Sequence, residues 1–168
     1  MIEQEPQAEH NKELYRRWRD ARANWDNDAR KDLDFSLGNH FSEEEEDELS
    51  SRNQAAVPMD RCGPAVEKLK SVLTARPPMF DAQPREDSDV KQSKVWRTIL
   101  GYIWDISEGD EKLKQIINDY STTGMGYAYI YVDRNADFGR GDVKFTYVNP
   151  FRVYVPPSCR DRWYDDAE

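Results

Sequence analysis

Hydrophobic positions recur along this chain with two periods, first near 3.6 residues and later 2. In residues 11–33, Leu14, Trp18, Ala21, Trp25 and Ala29 fall three and four apart, which predicts one amphipathic helix. Asn11 is its expected N-cap, and Gly38-Asn39 its stop. Ser42 followed by Glu45 has capping-box spacing, and it predicts a short acidic helix reaching about residue 52. Residues 53–59, with Pro58, read as a connector. Asp60 is expected to open a helix carrying Ala65, Val66, Leu69, Val72 and Leu73, with Pro64 in its first turn. That helix stops before Arg76-Pro77-Pro78, and residues 78–84 read as extended. Ser88 or Asp89 is the expected cap of the next helix. Val90, Val95, Trp96, Ile99, Leu100, Ile103 and Trp104 give it an apolar face wide enough to predict burial on more than one side. Gly109 breaks it, Asp110 is expected to cap a further helix with Leu113, Ile116, Ile117 and Tyr120, and Gly124 ends that one.

After Gly124 the period changes to 2. Tyr127, Tyr129 and Tyr131 alternate with Ala128, Ile130 and Val132, and Val143, Phe145 and Tyr147 alternate with Lys144, Thr146 and Val148. Two alternating runs around a polar, Gly-containing loop predict a β-hairpin. Val153 and Val155 alternate with Arg152 and Tyr154 after Asn149-Pro150, which predicts a third strand ending at Pro156-Pro157. Helices first and a small antiparallel sheet last make the expected fold class α+β. Residues 1–10 read as a disordered acidic tail, 11–157 as one α+β domain, and 158–168 as a polar tail.

Composition narrows the function classes. The chain has 168 residues, 38% of them hydrophobic and 34% charged, with a formal net charge of −9. That charge repels free duplex DNA at long range, so a stand-alone DNA-binding domain is disfavoured. Cys62 and Cys159 belong to no Cys-x-x-Cys or Cys/His cluster and read as reduced thiols. No signal peptide and no membrane-spanning run is read, and a cytoplasmic site of synthesis is expected.

The candidate chemistry is thin. Asp133-x-Asn135-x-Asp137 begins like a calcium loop, but its sixth position is Phe138 and its twelfth is Lys144, where that loop needs Gly and a bidentate Glu. A solvated hairpin loop is the better reading. The acidic run 43–48 reads as a solvated helix face. Gly124 and Gly126, and Gly139 and Gly141, lack the phosphate-loop context of strand, Lys-Ser/Thr and helix. His10 and His40 have no partner in the sequence pattern that would make a general base. Neither a catalytic residue nor a cofactor or metal ligand is assigned. The residues singled out are aromatic, as core or subunit-interface candidates: Trp18, Trp25, Trp96, Trp104, Tyr127, Tyr129 and Tyr131. Arg16, Arg17, Arg19 and Arg22 form a possible charged contact face, which nearby carboxylates largely cancel. Its alternative use is nucleic-acid binding.

The ordered series of elements resembles the N-terminal part of tailed-bacteriophage portal proteins. The similar features are the Trp25-Asp-Asn-Asp-Ala-Arg-Lys-Asp-Leu-Asp-Phe-Ser-Leu-Gly segment, the proline-led helix ending in Ala75-Arg-Pro-Pro, and the helix pair leading to Gly124-Met-Gly126-Tyr127. The hairpin and Val148-Asn-Pro-Phe-Arg-Val-Tyr-Val-Pro-Pro-Ser follow. The likeness covers about residues 14–161. It implies a structural subunit, not an enzyme, without cofactors, in a homo-oligomeric ring at one vertex of a procapsid. Its implied partners are capsid, terminase and tail or neck proteins, with DNA passing through the channel without sequence-specific contact and no membrane. The implied location is the virion, reached through the host cytoplasm during assembly. Portal subunits usually run to several hundred residues with a stem and a clip, so the resemblance implies the wing-like N-terminal region of a longer subunit.

Overall fold

The structure, a computed structural model, describes residues 4–86 and 89–160. In chain order its main elements are α1 (Gln4–Ala21), α2 (Ala23–Ser36), α3 (Glu43–Ser51), α4 (Cys62–Leu73), α5 (Val90–Ile106), α6 (Gly109–Thr123), β1 (Tyr127–Asp133) and β2 (Asp142–Val148). Among the described residues, six α-helices and a two-stranded antiparallel sheet make the fold α+β. The chain divides into two compact units, residues 1–60 with 150–168, and residues 61–149.

In the first unit, the helix expected over 11–33 is two helices, and the first starts earlier, at Gln4. Residues 4–10, expected as disordered tail, are therefore helical; Met1 to Glu3 lie outside the described residues. The joint is Arg22, with φ −101 and ψ 6. The hydrogen-bond ladder runs through it, since the Arg22 N–H donates to the Trp18 carbonyl at 3.2 Å and the Asp26 N–H to the Arg22 carbonyl at 3.0 Å. α2 ends at Gly38, whose φ of +88 suits glycine, and the Asn39 N–H returns to the Asp34 carbonyl. α3 begins with the capping box expected from Ser42 and Glu45: the Glu45 N–H donates to Ser42 Oγ, and the Ser42 N–H donates to the Glu45 carboxylate at 2.8 Å. The Ser42 N–H, and after it the Ser42 hydroxyl donating to the same carboxylate at 3.0 Å, hold the Glu45 carboxyl below the usual carboxylate range.

The third strand is absent. Pro150–Arg152 is a 3-10 turn and residues 153–156 have no ladder partner. The reason is Arg22. Its Nη1 donates to the Pro150 carbonyl at 3.2 Å and also to the Val153 carbonyl, and its Nη2 donates to the Phe151 carbonyl at 3.1 Å. A guanidinium takes the acceptors that a neighbouring strand would need, while Pro150 and Pro156 supply no N–H.

In the second unit, α4 packs on α6, and both α5 and α6 pack on β2. Asp89 occupies the N-cap position of α5 but its side chain makes no cap hydrogen bond; Ser88 lies outside the described residues. The α6 N-cap is Glu108 at φ +51, not Asp110 as the sequence suggests. Asp110 instead accepts a hydrogen bond from Trp104 Nε1 at 2.9 Å. Gly124 at φ +78 ends α6 as expected. β1 and β2 pair antiparallel with Ile130 opposite Phe145 and Tyr129 opposite Thr146. At the outer edge of β2, the Phe145 N–H donates to the buried Ser107 Oγ at 3.0 Å, and its carbonyl accepts from Lys112 Nζ at 3.1 Å. The helices thus satisfy the outer edge of β2 at Phe145.

One close approach fixes where the hairpin leaves α6. A Cβ on Gly126 would lie 2.6 Å from the Ile116 carbonyl oxygen and 2.9 Å from Ile116 Cγ2. Backbone cannot swing away as a side chain does. Gly126→Ala is therefore expected to cost about 2 kcal/mol, read as a lower urea midpoint with an unchanged slope.

Candidate functional site

The sites built here are surfaces. In the first unit, Arg22 lies at the centre of an aromatic clamp. Its Nε and Nη2 pair with both carboxylate oxygens of Asp26, at 3.2 and 2.7 Å. Its guanidinium stands 4.2 Å from the Tyr154 ring centroid and 5.0 Å from that of Trp25. Trp25 touches Phe151 at 5.4 Å, and Tyr15 meets Tyr154 edge to face at 4.8 Å. The hydrogen bond with the Tyr15 hydroxyl, and after it burial, raise the Tyr154 pKa. Trp18 is half-buried on α1.

The expected charged face is thereby reduced. Arg22 is committed to its own unit, and Arg19 holds Asp20 at 2.8 Å, an exposed pair that raises the Arg19 pKa. Arg16 and Arg17 remain exposed. Sequence periodicity placed Arg22 on a helix surface, but the carbonyls it grips lie 128 to 131 residues away, beyond the reach of any local pattern.

In the second unit, Trp104 is half-buried between Phe80 and Phe145, each at 5.2 Å. Beside it lies a groove of about 540 Å³ lined by Pro77, Met79, Phe80, Gly101 and Trp104, with Asp81, Arg97, Asp105 and Asp110 also on its walls. Arg97 is ion-paired with Asp81. Trp96 points elsewhere and is 51% exposed. With Val95, Ile99, Tyr102 and Ile106, also exposed, it forms an outward stripe on α5. The wide apolar face of this helix is thus split, with only Leu100, Ile103 and Trp104 turned inward.

β1 is more open still. Tyr129 and Tyr131 stack at 5.6 Å on one face, as the alternation requires, yet Tyr129 is 58% exposed and Ile130, on the opposite face, 67%. Tyr127 is half-buried, and its hydroxyl donates to Met125 Sδ at 3.3 Å. Its neighbour strand is held better: Tyr147 donates its hydroxyl proton to Asp119, and burial followed by that carboxylate pushes its pKa well above the ordinary phenol value. Lys144 Nζ reaches Asp133 at 3.0 Å, and each pKa moves in the direction that keeps both groups charged.

Among the described residues, no group of three or more His, Cys, Asp and Glu could hold a metal ion, and no helix is long and apolar enough to cross a membrane. Ala29 and Pro150 are buried, while large apolar side chains on α4, α5 and β1 face outward.

The family model described as phage P22-like portal protein matches residues 12–168. No curated protein matches the sequence.

Proposed function

We propose that this chain, which belongs to the phage P22-like portal protein family, works as a structural subunit of a portal ring. In this reading, residues 11–157 form the wing-like part of the subunit. Copies associate into a closed ring at one vertex of the capsid, DNA enters and leaves through the ring, and the terminase docks on it before tail or neck proteins do. The observation that carries the reading is the family match across residues 12–168. The open apolar faces support association with like subunits. The Tyr129/Tyr131 face and the Val95–Ile106 stripe are proposed contacts, while Trp18, Trp25 and Trp104 are proposed to stabilise the units themselves.

A separate nucleic-acid-binding module on α1 is less well supported, because Arg22 is engaged within its unit. That module would show a steep loss of DNA affinity with salt, of the order expected for several phosphate contacts.

Immunogold labelling of assembled particles tests the portal reading. The expected result is label at a single vertex of each particle. Label spread over all faces, or none on particles, would contradict it.

A further inference from the structure

The helix α4 keeps its strongest apolar side in solvent. Gly63, Val66, Lys70 and Thr74, three and four residues apart, are half-buried, and Lys70 lies beside Glu111 and Lys114 of α6. Leu69, Val72 and Leu73 share a different side and are exposed, Val72 by 65%. An amphipathic helix in a packed protein buries such a stripe. The charges around this stripe have one sign. Over residues 60–76, Arg61, Lys68, Lys70 and Arg76 meet two carboxylates, Asp60 and Glu67. Glu67 is taken by Lys70. Lys68 lies one helical turn before Val72, and Arg76 follows it by four residues, just past the helix end. Both are exposed, and among the described residues neither is ion-paired.

The corner between α2 and α3 has the opposite sign. Residues 30–52 hold eight carboxylates against Arg30, Lys31 and Arg52, a net charge of −5 with His40 neutral. Asp34, Glu43 and Glu46 line one cleft there, and the acids of residues 43–48 are all exposed. The capping box of Ser42 and Glu45 holds α3 in place as a formed helix. Phe35 and Leu37, at the end of α2, are exposed beside these carboxylates, Leu37 by 68%.

We propose that the α2–α3 corner of one copy docks on the outward side of α4 in a second copy, with Phe35 and Leu37 against Leu69, Val72 and Leu73 and the α3 carboxylates towards Lys68 and Arg76. Charge selects the occupant. The same chain carries both halves of the contact, a patch of net charge −5 and one of net charge +2, each with apolar side chains in solvent. Two acidic corners repel each other, so corner meets α4 and not its own counterpart. The two patches differ, so the contact is heterologous and propagates from copy to copy, closing into a ring when the rotation permits. This deepens the ring reading and rests on it.

Three variants and the wild type, compared by native mass spectrometry and sedimentation, test the contact. Val72→Ala with Leu73→Ala shortens the stripe while favouring the helix. It is expected to weaken self-association by roughly tenfold or more, with little change in melting temperature. A basic-to-acidic variant carries Lys68→Glu and Arg76→Glu. An acidic-to-basic variant carries Glu44→Lys, Glu46→Lys and Asp47→Lys, which spares the capping box. Each alone should associate at least about tenfold more weakly, and an equal mixture of the two should regain wild-type association, because each then finds its opposite charge on the other. A wild type that associates while all three variants associate equally well overturns the contact and leaves the ring reading standing. Charge variants that stay weak when mixed also overturn the contact. A wild type that stays monomeric at every accessible concentration overturns both readings. A photo-cross-linker at position 72 that joins residues 35–48 of a second, isotope-labelled copy supports the contact directly; linkage only within one copy, or only outside residues 35–48, refutes it.

Discussion

Arg22→Ala is expected to destabilise the first unit by about 3 kcal/mol. The side chain is only 16% exposed, and all of its donor directions are used. Nε and one Nη2 hydrogen bond hold the Asp26 carboxylate; the other contacts hold the carbonyls of Pro150, Phe151 and Val153. Truncation strands one partly buried carboxylate and three backbone acceptors together, and it removes the cation from the faces of Trp25 and Tyr154. Arg22→Lys should recover only a small part. An ammonium keeps the charge but cannot span a carboxylate and a row of carbonyls at once. Guanidinium unfolding followed by tryptophan fluorescence reads the loss, and limited proteolysis within residues 150–156 should accelerate. A lysine variant as stable as the wild type would show that charge alone, not the planar fork, holds this segment.

The second large effect is expected at Trp104. Trp104→Ala should cost about 3 kcal/mol, because the ring bridges Phe80 and Phe145 and donates to Asp110. Trp96→Ala should stay within about 1 kcal/mol, since half of that side chain already faces solvent. The two tryptophans lie on one helix, so the contrast separates packing from helix propensity. Gly109 provides an independent check. A Cβ there would fall 2.2 Å from Trp104 Cδ2, so Gly109→Ala must displace the indole and should imitate much of the Trp104 loss. Urea denaturation of the three variants measures this. Equal costs for Trp96 and Trp104 would mean that α5 is packed on both sides.

The parts of this fold that were legible in sequence are those whose causes are local. Ser42 and Glu45 specify a capping box by spacing alone, and both hydrogen bonds form. Gly38 and Gly124 end helices because their backbone goes left-handed there. The alternation around Gly139 and Gly141 sets the hairpin register, and the two rings expected on one face, Tyr129 and Tyr131, stack. The errors have long-range causes. Val153 to Val155 alternates like a strand, but the Arg22 guanidinium, at the joint of α1 and α2, holds the carbonyls of Pro150, Phe151 and Val153. The apolar residues of α5 cover most of the helix, and composition cannot say which of them the sheet will reach. Asp110 looks like a helix cap until Trp104 claims its carboxylate. The exposure of β1 was not legible in sequence: alternation put Tyr129 and Tyr131 on one face, but only the structure shows Tyr129 and Ile130 open to solvent.

The same logic separates the two kinds of aromatic residue. Trp25 and Trp104 fill space inside their units, so their loss should lower stability whatever the concentration. Tyr129 and Ile130 face solvent in the single chain, so their loss should act on association instead.

Hydrogen–deuterium exchange, compared between dilute and concentrated protein, tests most directly whether these open faces are where like subunits meet. The expected result is new protection at high concentration in residues 95–106 and 127–133, with residues 22–29 unchanged. Concentration-independent exchange in both 95–106 and 127–133, in protein that is nonetheless associated, would contradict the account.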